Sequence, residues 1–160
     1  MIRKARANDA EQINFINVSG WKETYNNIFP KDFLDSLNAY DEKNVQKIRD
    51  RIDQYVVCEL DGKVVAMARY GKNKKDYDDS YAEVYALYVD SKYKNKKIGT
   101  QMINYILEEL KNNYKYVLIS TIKENSANEF YKKIGGEFIG NCEFKLKDNL
   151  YVENIYKYDL

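Results

Sequence analysis

Residues 83–100 read EVYALYVDSKYKNKKIGT, and the change of pattern within this stretch decides the fold. The first seven residues are mostly β-branched, aromatic or aliphatic, which favours a β-strand over 81–89. Lysine dominates residues 91–97, which predicts a polar loop. From Ile98 to Leu110 apolar residues recur at helical spacing, so the stretch predicts a strand, a loop and a helix in succession.

The junction between this loop and the helix is suited to an anion. Gly99 and Thr100 stand at the predicted helix start, where the first backbone N–H groups lack intrahelical acceptors and the helix dipole is positive. Gly99 would let a ligand approach the backbone without meeting a Cβ atom. The segment therefore predicts a phosphate site, although a solvated lysine loop before an ordinary helix gives the same pattern.

The remaining segments extend the alternation of strands and helices on both sides of this unit. A hairpin is predicted from the apolar strands 55–60 and 64–68, and Gly135-Gly136 ends a helix predicted over 125–134. The other predicted elements are a strand at 2–5, a helix after Asn8 or Asp9, a helix from about residue 41, a strand at 116–120, and strands at 137–146 and 150–158. The order is β-α-α-β-β-β-α-β-α-β-β, an α/β protein with a mixed sheet in a single domain over 1–160.

Composition and charge exclude several classes of protein. Of 160 residues, 44% are hydrophobic and 32% are charged, the ordinary balance of a globular protein, and the formal net charge is +1. Nucleic-acid binders normally carry a strong basic excess, so we expect no nucleic-acid partner. No apolar run approaches the about 20 residues that span a bilayer, and no signal-peptide core follows Met1. We therefore expect no membrane association, a cytoplasmic protein, and free, buried thiols at Cys58 and Cys142.

The sequence contains no histidine. This absence removes the Ser-His-Asp and Cys-His nucleophilic systems and any histidine general base. It also removes the commonest transition-metal ligand, and two cysteines cannot close a structural zinc site, so no metal is expected. Any chemistry must therefore use carboxylates, tyrosines, backbone dipoles or a cofactor.

The stretch 83–100 resembles the acetyl-CoA-binding motif of the GNAT superfamily of N-acetyltransferases, whose loop reads Arg/Gln-x-x-Gly-x-Gly/Ala. Lys94 stands at the basic position, Gly99 at the last glycine, and Lys97 where the first glycine usually lies. The departure at Lys97 predicts a loop that needs an unstrained, non-glycine backbone conformation at that residue.

Two further segments are similar to the same family. Residues 125–138 carry Asn125, Tyr131 and Gly135-Gly136 at the spacing of the family's other cofactor-side motif, at the expected distance downstream. Residues 21–34 are more loosely similar to the first-helix region of small bacterial members, where the acceptor pocket is partly built.

The resemblance implies a GNAT fold, in which a twisted, mixed and mostly antiparallel sheet of about seven strands is flanked by four helices. It implies acetyl-CoA as the acetyl donor, with the thioester carbonyl bound at a bulge in strand 83–89 and the pyrophosphate bound at the following helix start. The strand 116–120 would splay away so that the pantetheine arm lies between the strands. The cofactor-binding residues that it implies are Leu87, Tyr88, Val89, Lys94, Asn95, Lys96, Lys97, Ile98, Gly99, Thr100, Asn125, Asn128 and Tyr131.

The resemblance also implies catalytic and substrate-binding roles. Tyr131 would be the general acid near the sulfur, although it also lies on the apolar stripe of its predicted helix and would suit the core. Glu83 would be the base, directly or through water, and would face the acceptor; an exposed strand glutamate is equally consistent with the sequence. Trp21 and Tyr25 are candidate walls of the acceptor pocket, with a core position as the alternative.

The predicted reaction is acetyl transfer to a primary amine of a small molecule or peptide by direct attack in a ternary complex. A homodimer is a possible assembly. The main alternative is a non-catalytic acyl-CoA-binding or sensing module, which Lys97 in place of glycine favours and Tyr131 and Asn125 disfavour. A nucleotide-binding protein of another α/β class is disfavoured because the chain has neither Gly-x-Gly-x-x-Gly nor a Walker lysine motif.

Overall fold

The computed structural model describes residues 1–160 and contains seven strands and five helices. The strands are β1 Ile2–Lys4, β2 Tyr55–Leu60, β3 Lys63–Lys72, β4 Tyr81–Val89, β5 Tyr116–Ile122, β6 Glu137–Leu146 and β7 Asn149–Asp159. The helices are α1 Ala10–Tyr25, α2 Lys31–Ser36, α3 Glu42–Asp50, α4 Ile98–Leu110 and α5 Ala127–Lys133. The strands follow the order β1-β2-β3-β4-β5-β7-β6 in the sheet. The chain forms two compact units, of which the first holds residues 1–70 and 86–105 and the second holds residues 71–85 and 106–160.

The predicted number of helices is wrong by one. Five helices are present rather than four, because α2 follows Pro30, whose φ of −56° suits a helix entry. This helix has six residues and buries only Leu34, so it is too short to produce a visible apolar period. The bounds of β4, α4 and β6 are as predicted.

The sheet is mixed and mostly antiparallel, as predicted. β4 and β5 are parallel neighbours, as expected of two strands that are joined by a crossover helix. The pairs β1 with β2, β2 with β3, β5 with β7 and β6 with β7 are antiparallel.

The core of the first unit lies between its helices and its strands. α1 presents Ala10, Ile13 and Ile16 on one face at helical spacing, and all three are buried. They pack with side chains from α3, β2 and β3, namely Val45, Ile48, Tyr55, Val57, Val64 and Met67. Burial of this face holds α1 against the strands.

An ion cluster joins β1, the start of α1 and β2 in the first unit. The Arg3 guanidinium lies 2.8 Å from Asp9 Oδ2 and 2.5 Å from Glu59 Oε2, and the backbone N–H of Arg6 donates to Asp9 Oδ2 at 2.7 Å. Burial alone would raise the pKa of Asp9, but the hydrogen bonds from Arg3 and Arg6, together with their charges, lower it below its usual value. The folded state therefore favours the Asp9 carboxylate.

Replacing Asp9 by asparagine should lower the free energy of unfolding at pH 7 by about 3 kcal/mol or more, the cost of breaking a buried ion pair. Because the pKa of Asp9 is lowered in the folded state, its contribution is present above the unfolded value of about 3.9 and is lost as the pH falls through the folded pKa. Urea unfolding at about pH 7 and about pH 3 measures this effect. Between these two pH values, the free energy of unfolding should fall less for Asp9→Asn than for the parent. Asp53→Asn changes an exposed carboxylate of the same unit and should behave as the parent. Equal stability of Asp9→Asn and the parent at pH 7 would contradict this account.

The turn after α5 in the second unit depends on its two glycines. Gly135 has a φ of +106°, which side-chain-bearing residues rarely adopt. A Cβ atom on Gly136 would lie 2.6 Å from the Tyr131 carbonyl oxygen and 2.7 Å from the Tyr158 hydroxyl. The Tyr158 hydroxyl itself donates to the Tyr131 carbonyl at 2.7 Å, and burial raises the pKa of Tyr158. The glycines therefore end the helix as predicted and allow this close packing.

Both cysteines are free thiols. Cys58 is buried as predicted, but Cys142 is only half-buried, because β6 is the edge strand and pairs on one side only. None of the helices combines the length with the apolar composition that a membrane span requires.

Candidate active site

The ladder between β4 and β5 covers only part of the two strands. Register partners join residues 81–84 of β4 to residues 116–119 of β5, although both strands continue beyond these pairs. Tyr85 and Ser120, the next residues on each strand, are the first outside the ladder. The register pairs of the two parallel strands therefore end at Val84 and Ile119, and the predicted splay of strand 116–120 stays a prediction.

The lysine-rich loop of the first unit has an unusual backbone. Asn95 and Lys97 have φ values of +65° and +61°. A left-handed conformation costs a residue with a side chain roughly 1–2 kcal/mol, less for asparagine than for most others. The predicted unstrained backbone at Lys97 is therefore wrong, because Lys97 takes the conformation that glycine adopts freely. Left-handed residues in such loops turn successive N–H groups towards one point and create an anion-binding concavity.

α4 begins directly after this loop. The N–H of Gln101 donates to the Lys97 carbonyl at 3.1 Å, so the N–H groups of Ile98, Gly99 and Thr100 belong to the first turn, which has no intrahelical acceptors. The Ile98 side chain is buried and fixes the helix start, whereas Gly99 and Thr100 are half-buried. The first turn therefore presents backbone donors at a positive dipole end.

Exposed lysines surround this helix start. They are Lys92, Lys94, Lys96 and Lys97. Lys94 Nζ lies 3.6 Å from Glu23 Oε2 in α1, and Lys96 Nζ lies 5.3 Å from the centre of the Tyr93 ring. Cationic side chains beside backbone N–H donors are what a diphosphate requires, so the residues present fit that group.

The end of β4 contacts α1 within the first unit. Leu87, Tyr88 and Val89 are half-buried, and a Cβ atom on Gly20 would lie only 2.4 Å from the Tyr88 ring. α1 therefore approaches Tyr88 because residue 20 has no side chain. A cavity of about 170 Å³ opens beside this contact, lined by Phe15, Ile16, Ser19, Gly20, Glu23, Val89, Asp90, Ser91 and Lys92.

The two predicted acceptor-wall residues belong to an aromatic cluster. Tyr25 stacks on Phe29 with ring centres 4.3 Å apart, and both are buried. Trp21 lies 5.2 Å from Tyr25 and 6.2 Å from Phe33, and Trp21 and Phe33 are half-buried. Tyr25 is therefore a core residue beneath Trp21, and only Trp21 of the predicted pair presents part of its ring at the surface.

Glu83 is buried rather than exposed, at 6% exposure, so the alternative of a solvated strand glutamate is wrong. Its Oε1 accepts a hydrogen bond from the backbone N–H of Lys74 at 2.8 Å, and its Oε2 lies 3.4 Å from Lys75 Nζ. The connection 73–80 between β3 and β4 thus folds back over this carboxylate.

Lys75 bridges Glu83 to a second carboxylate in the same unit. Its Nζ lies 3.8 Å from Glu153 Oε1, and the Cys142 thiol lies 3.5 Å from the same oxygen. Burial lowers the pKa of Lys75, but the charges of Glu83 and Glu153 raise it overall, so Lys75 stays protonated. Burial raises the pKa of Cys142, so its thiol is not activated as a nucleophile.

Asn125 caps α5. Its Oδ1 accepts from the N–H of Ala127 at 2.9 Å, and its Nδ2 donates to Thr121 Oγ1 at 2.8 Å. This Asx turn explains why α5 begins at Ala127 rather than at residue 125 as predicted. The predicted hydrogen bond from Asn125 to the cofactor stays a prediction.

Asn128 is buried and uses its whole amide within the protein. Its Nδ2 donates to the carbonyls of Ile122 and Asn125 at 3.0 and 2.7 Å. Its Oδ1 accepts from Asn154 at 2.9 Å and from the Tyr156 hydroxyl at 2.7 Å. An asparagine amide has two N–H donors and two acceptor sites, so this geometry gives Asn128 a structural role and does not support its predicted cofactor contact.

Tyr131 is buried, at 8% exposure. Its ring centre lies 5.3 Å from Phe130 and 6.2 Å from Tyr156, and its carbonyl oxygen accepts hydrogen bonds from Gly136 and Tyr158. The backbone of Tyr131 is therefore held tightly, which positions the side chain whether it acts as an acid or only fills the core.

The second unit places Glu83 and Tyr131 on opposite faces of its sheet. Glu83 pairs with Leu118, and Tyr156 pairs with Ile119. Adjacent residues of a strand point to opposite faces, so Glu83 and Tyr156 do so as well. Because Tyr131 packs on Tyr156, the candidate base and the candidate acid are on different faces.

Sequence reasoning missed the partners of the site residues. Lys75 lies between the predicted strands 64–68 and 81–89, where no element was predicted, and its ion pair with Glu153 joins residues far apart in the chain. The hydrogen bond between Thr121 and Asn125 could have been predicted from the sequence. A residue with a hydroxyl group stands four positions before an asparagine at a strand-to-helix junction. The structure holds no group of three or more Cys, Asp or Glu side chains arranged to bind a metal ion.

Comparison with known proteins decides the family. The model of the acetyltransferase (GNAT) family matches residues 18–136, which include the lysine-rich loop and the whole of helices α2 to α5. The chain belongs to the GNAT acetyltransferase family. The predicted family and the predicted activity of an acetyl-CoA-dependent acetyltransferase are both confirmed.

Similar proteins agree with this assignment. The uncharacterised N-acetyltransferase YuaI of Bacillus subtilis strain 168 is 24% identical over 146 residues, which cover 91% of this chain and 84% of that protein. The PaiA N-acetyltransferase of Thermoplasma acidophilum, solved in complex with coenzyme A, superposes with a TM-score of 0.76 at 20% identity and covers 99% of this chain and 98% of its own. The acetyltransferase yncA of Salmonella typhimurium, solved with acetyl-CoA, has a TM-score of 0.75 at 14% identity. This match covers 99% of the present chain and 92% of the yncA chain. The GNAT fold is thereby confirmed.

Proposed function

We propose that this GNAT protein transfers an acetyl group from acetyl-CoA to a primary amine of a small molecule or peptide. The amine attacks the thioester directly while both substrates are bound. The observation that supports the proposal is the arrangement of the loop before α4. Its residues Asn95 and Lys97 have left-handed backbone conformations, and four exposed lysines lie beside the first-turn N–H groups of the helix. Family members solved with coenzyme A or acetyl-CoA share this fold.

The donor is held at three places in this proposal. The diphosphate lies on the N–H groups of Ile98, Gly99 and Thr100 with Lys94 and Lys97 as counter-charges. The thioester carbonyl is polarised by backbone N–H groups of residues 87–89, which stabilise the oxyanion as it forms. The pantetheine arm lies beside β4, next to the residues that follow its ladder with β5.

The reaction forms a C–N bond and breaks the C–S bond of the thioester. The acceptor must first lose a proton, because an alkylammonium with a pKa of about 10.4 is not nucleophilic at neutral pH. Glu83 takes this proton through water, since its carboxylate is buried under the connection 73–80. Tyr131 donates a proton to the departing thiolate, and coenzyme A leaves as the thiol. The proton that the nitrogen loses as the amide forms returns through water to the Tyr131 oxygen.

The separation of Glu83 and Tyr131 supports this division of roles. The attacking amine and the leaving sulfur are different substituents of the tetrahedral carbon that forms during attack, so the base and the acid act from different directions. The two side chains project from opposite faces of the second unit's sheet. Alignment of both substrates can lower the activation free energy of the reaction by on the order of 7–11 kcal/mol in favourable cases.

Lys97 no longer favours a non-catalytic sensing module. That alternative is favoured by lysine in place of the usual glycine. Because Lys97 has a φ of +61°, it adopts a conformation that glycine takes freely, and its side chain adds a charge to the loop.

Acetyl-CoA should bind with one-to-one stoichiometry and raise the melting temperature. A ligand at 100 times its Kd stabilises the native state by about 2.7 kcal/mol, which corresponds to about 5–11 °C for a chain of this size. Calorimetry and thermal unfolding measure the two effects, and NADH, a ligand of other α/β proteins, is the control that should change neither. Absence of binding by both CoA and acetyl-CoA at millimolar concentration would overturn the proposal.

The acceptor class is tested by release of free thiol from acetyl-CoA in the presence of single amines. A panel of a polyamine, an amino acid, an aminoglycoside, a peptide with a free N-terminus and a lysine-containing protein covers the predicted range. At least one primary amine should accelerate thiol release above the rate with acetyl-CoA alone. Binding of acetyl-CoA without acceleration by any amine would favour the sensing module.

A further inference from the structure

One lysine of the second unit faces carboxylates from two different strands. Glu83 of β4 is opposite Leu118 of β5, and Glu153 of β7 is opposite Ile122 of β5. Because residues 118 and 122 share a face of β5, Glu83 and Glu153 lie on the same face of the sheet. Lys75 joins them there, with its Nζ 3.4 Å from Glu83 Oε2 and 3.8 Å from Glu153 Oε1.

These ion pairs are largely withdrawn from water. The side chains of Glu83, Glu153 and Lys75 are 8%, 17% and 19% exposed, so their charges are screened less than charges at the surface. Burial lowers the pKa of Lys75, but the charges of Glu83 and Glu153 raise it overall. The attraction is mutual, so the ammonium in turn favours the ionised carboxylate of Glu83.

The neighbouring lysines direct their charges elsewhere. The Lys74 ammonium lies over an aromatic ring of β4, and this residue contacts Glu83 Oε1 through its backbone N–H at 2.8 Å. Lys157 of β7 has its Nζ 3.6 Å from Asp159 Oδ1. The Lys75 ammonium is therefore the cation that acts on Glu83.

Glu153 gives this ammonium a second anchor. A proton taken up by Glu83 cancels its charge and weakens its attraction for Lys75. The Glu153 carboxylate holds the ammonium in place during that step. The Cys142 thiol beside Glu153 has a pKa that burial raises, so it brings no competing negative charge.

We propose that Lys75 is a positioning residue for acetyl transfer, whose ammonium holds the Glu83 carboxylate ionised and oriented to receive the proton of the acceptor amine. This inference rests on the proposed function, in which Glu83 is the base. The N–H bond of the acceptor ammonium breaks, the proton passes through water, and an O–H bond forms on Glu83. Lys75 keeps its own protons throughout.

Lys75→Met tests the effect on ionisation without any acceptor. The variant removes the ammonium and keeps an unbranched side chain. Loss of a neighbouring positive charge favours the uncharged carboxyl, so the Glu83 signal in an NMR titration of the glutamate carboxyl carbons should change about one pH unit or more higher than in the parent. Glu83→Gln identifies that signal. Lys75→Arg keeps the charge and should titrate as the parent does.

The same variants test the effect on the reaction. The rate is that of thiol release from acetyl-CoA with the fastest amine of the panel. The acid limb of kcat/KM for the amine should move to higher pH in Lys75→Met and return in Lys75→Arg, while the affinity for acetyl-CoA stays unchanged. In the Glu83→Gln background, Lys75→Met should cause no further loss of rate, because Lys75 acts through Glu83.

A second lysine–carboxylate pair of the same unit supplies the matched control. Lys72 Nζ lies 3.0 Å from Asp79 Oδ1 at the surface, so Lys72→Met should leave the Glu83 titration and the acid limb unchanged. Lys75→Met should also lower the melting temperature, because it leaves a buried carboxylate without its counter-charge. Lys75→Gln, which removes the charge but keeps a polar head, replaces Lys75→Met in every measurement if that variant does not fold.

The possible failures are distinguishable. An unchanged Glu83 titration and acid limb in Lys75→Met, with the loss confined to the melting temperature, would overturn the inference and make Lys75 a structural residue. A further loss of rate in the double variant would also overturn it, because Lys75 would then act on another group. Absence of acetyl transfer by the parent with every amine would instead overturn the proposed function, and the NMR titration would still decide whether Lys75 keeps Glu83 ionised.

Discussion

Tyr131→Phe should lower the rate of acetyl transfer by about 10²–10⁴-fold, the range typical of acid–base groups. The phenol would protonate a thiolate whose charge develops only in the transition state, so the loss should appear in kcat rather than in the affinity for acetyl-CoA. The ring packing on Phe130 and Tyr156 does not need the hydroxyl, and the hydrogen bonds at Tyr131 from Gly136 and Tyr158 go to its backbone. We expect the melting temperature to remain near that of the parent, because the variant keeps the ring that packs on Phe130 and Tyr156.

Two control variants make this result specific. Tyr40→Phe changes a tyrosine that is 76% exposed and should leave the rate and the stability unchanged. Tyr156→Phe removes a hydroxyl that donates to buried Asn128, so it should lower the melting temperature by removing a buried hydrogen bond. A near-normal rate for Tyr131→Phe, with any loss confined to stability, would mean that Tyr131 is a core residue. A neutral result in both measurements would assign the proton to water or to another tyrosine.

Gly99→Val should abolish acetyl-CoA binding while the fold survives. Residue 99 lies in the first turn of α4, where the diphosphate must approach the backbone N–H groups, and two methyl groups on a Cβ atom would occupy that space. Valine is a better helix former than glycine by a few tenths of a kcal/mol, so the helix itself should not be weakened. Calorimetry with acetyl-CoA measures the loss, and the melting temperature without ligand checks the fold.

The matched control for this variant is Asn104→Val. Residue 104 is exposed in the same helix and lies beyond the first turn, so the same β-branched side chain should leave acetyl-CoA binding intact. Binding by Gly99→Val at the affinity of the parent would show that the loop before α4 is not the phosphate site. Loss of binding together with a clear fall in melting temperature would indicate a folding defect instead.

The sequence by itself determined the elements whose stabilising contacts are local. The run of β-branched, aromatic and aliphatic residues in β4 and the period of 3.6 residues in α4 indicated the bounds of both, because strand preference and helical spacing are local properties of the chain. Gly135-Gly136 marked the end of α5 because a left-handed residue after a helix favours glycine. The loop that we propose for the phosphate was located for the same reason, since the donors of a helix start are set by the chain immediately around Gly99.

Only the tertiary structure decided what surrounds the side chains of the site. Glu83 was predicted as a base or a solvated glutamate, and its burial under Lys75 depends on a loop whose own sequence shows only polarity. The amide of Asn128 is used by residues of β7 that the sequence alone does not bring near α5. The left-handed backbone of Lys97 contradicts the preference of lysine, because the loop has to meet the start of α4 and the conformation costs only roughly 1–2 kcal/mol. Such contacts join residues distant in the chain, and their formation depends on strand register and on the face of the sheet, which no local pattern encodes.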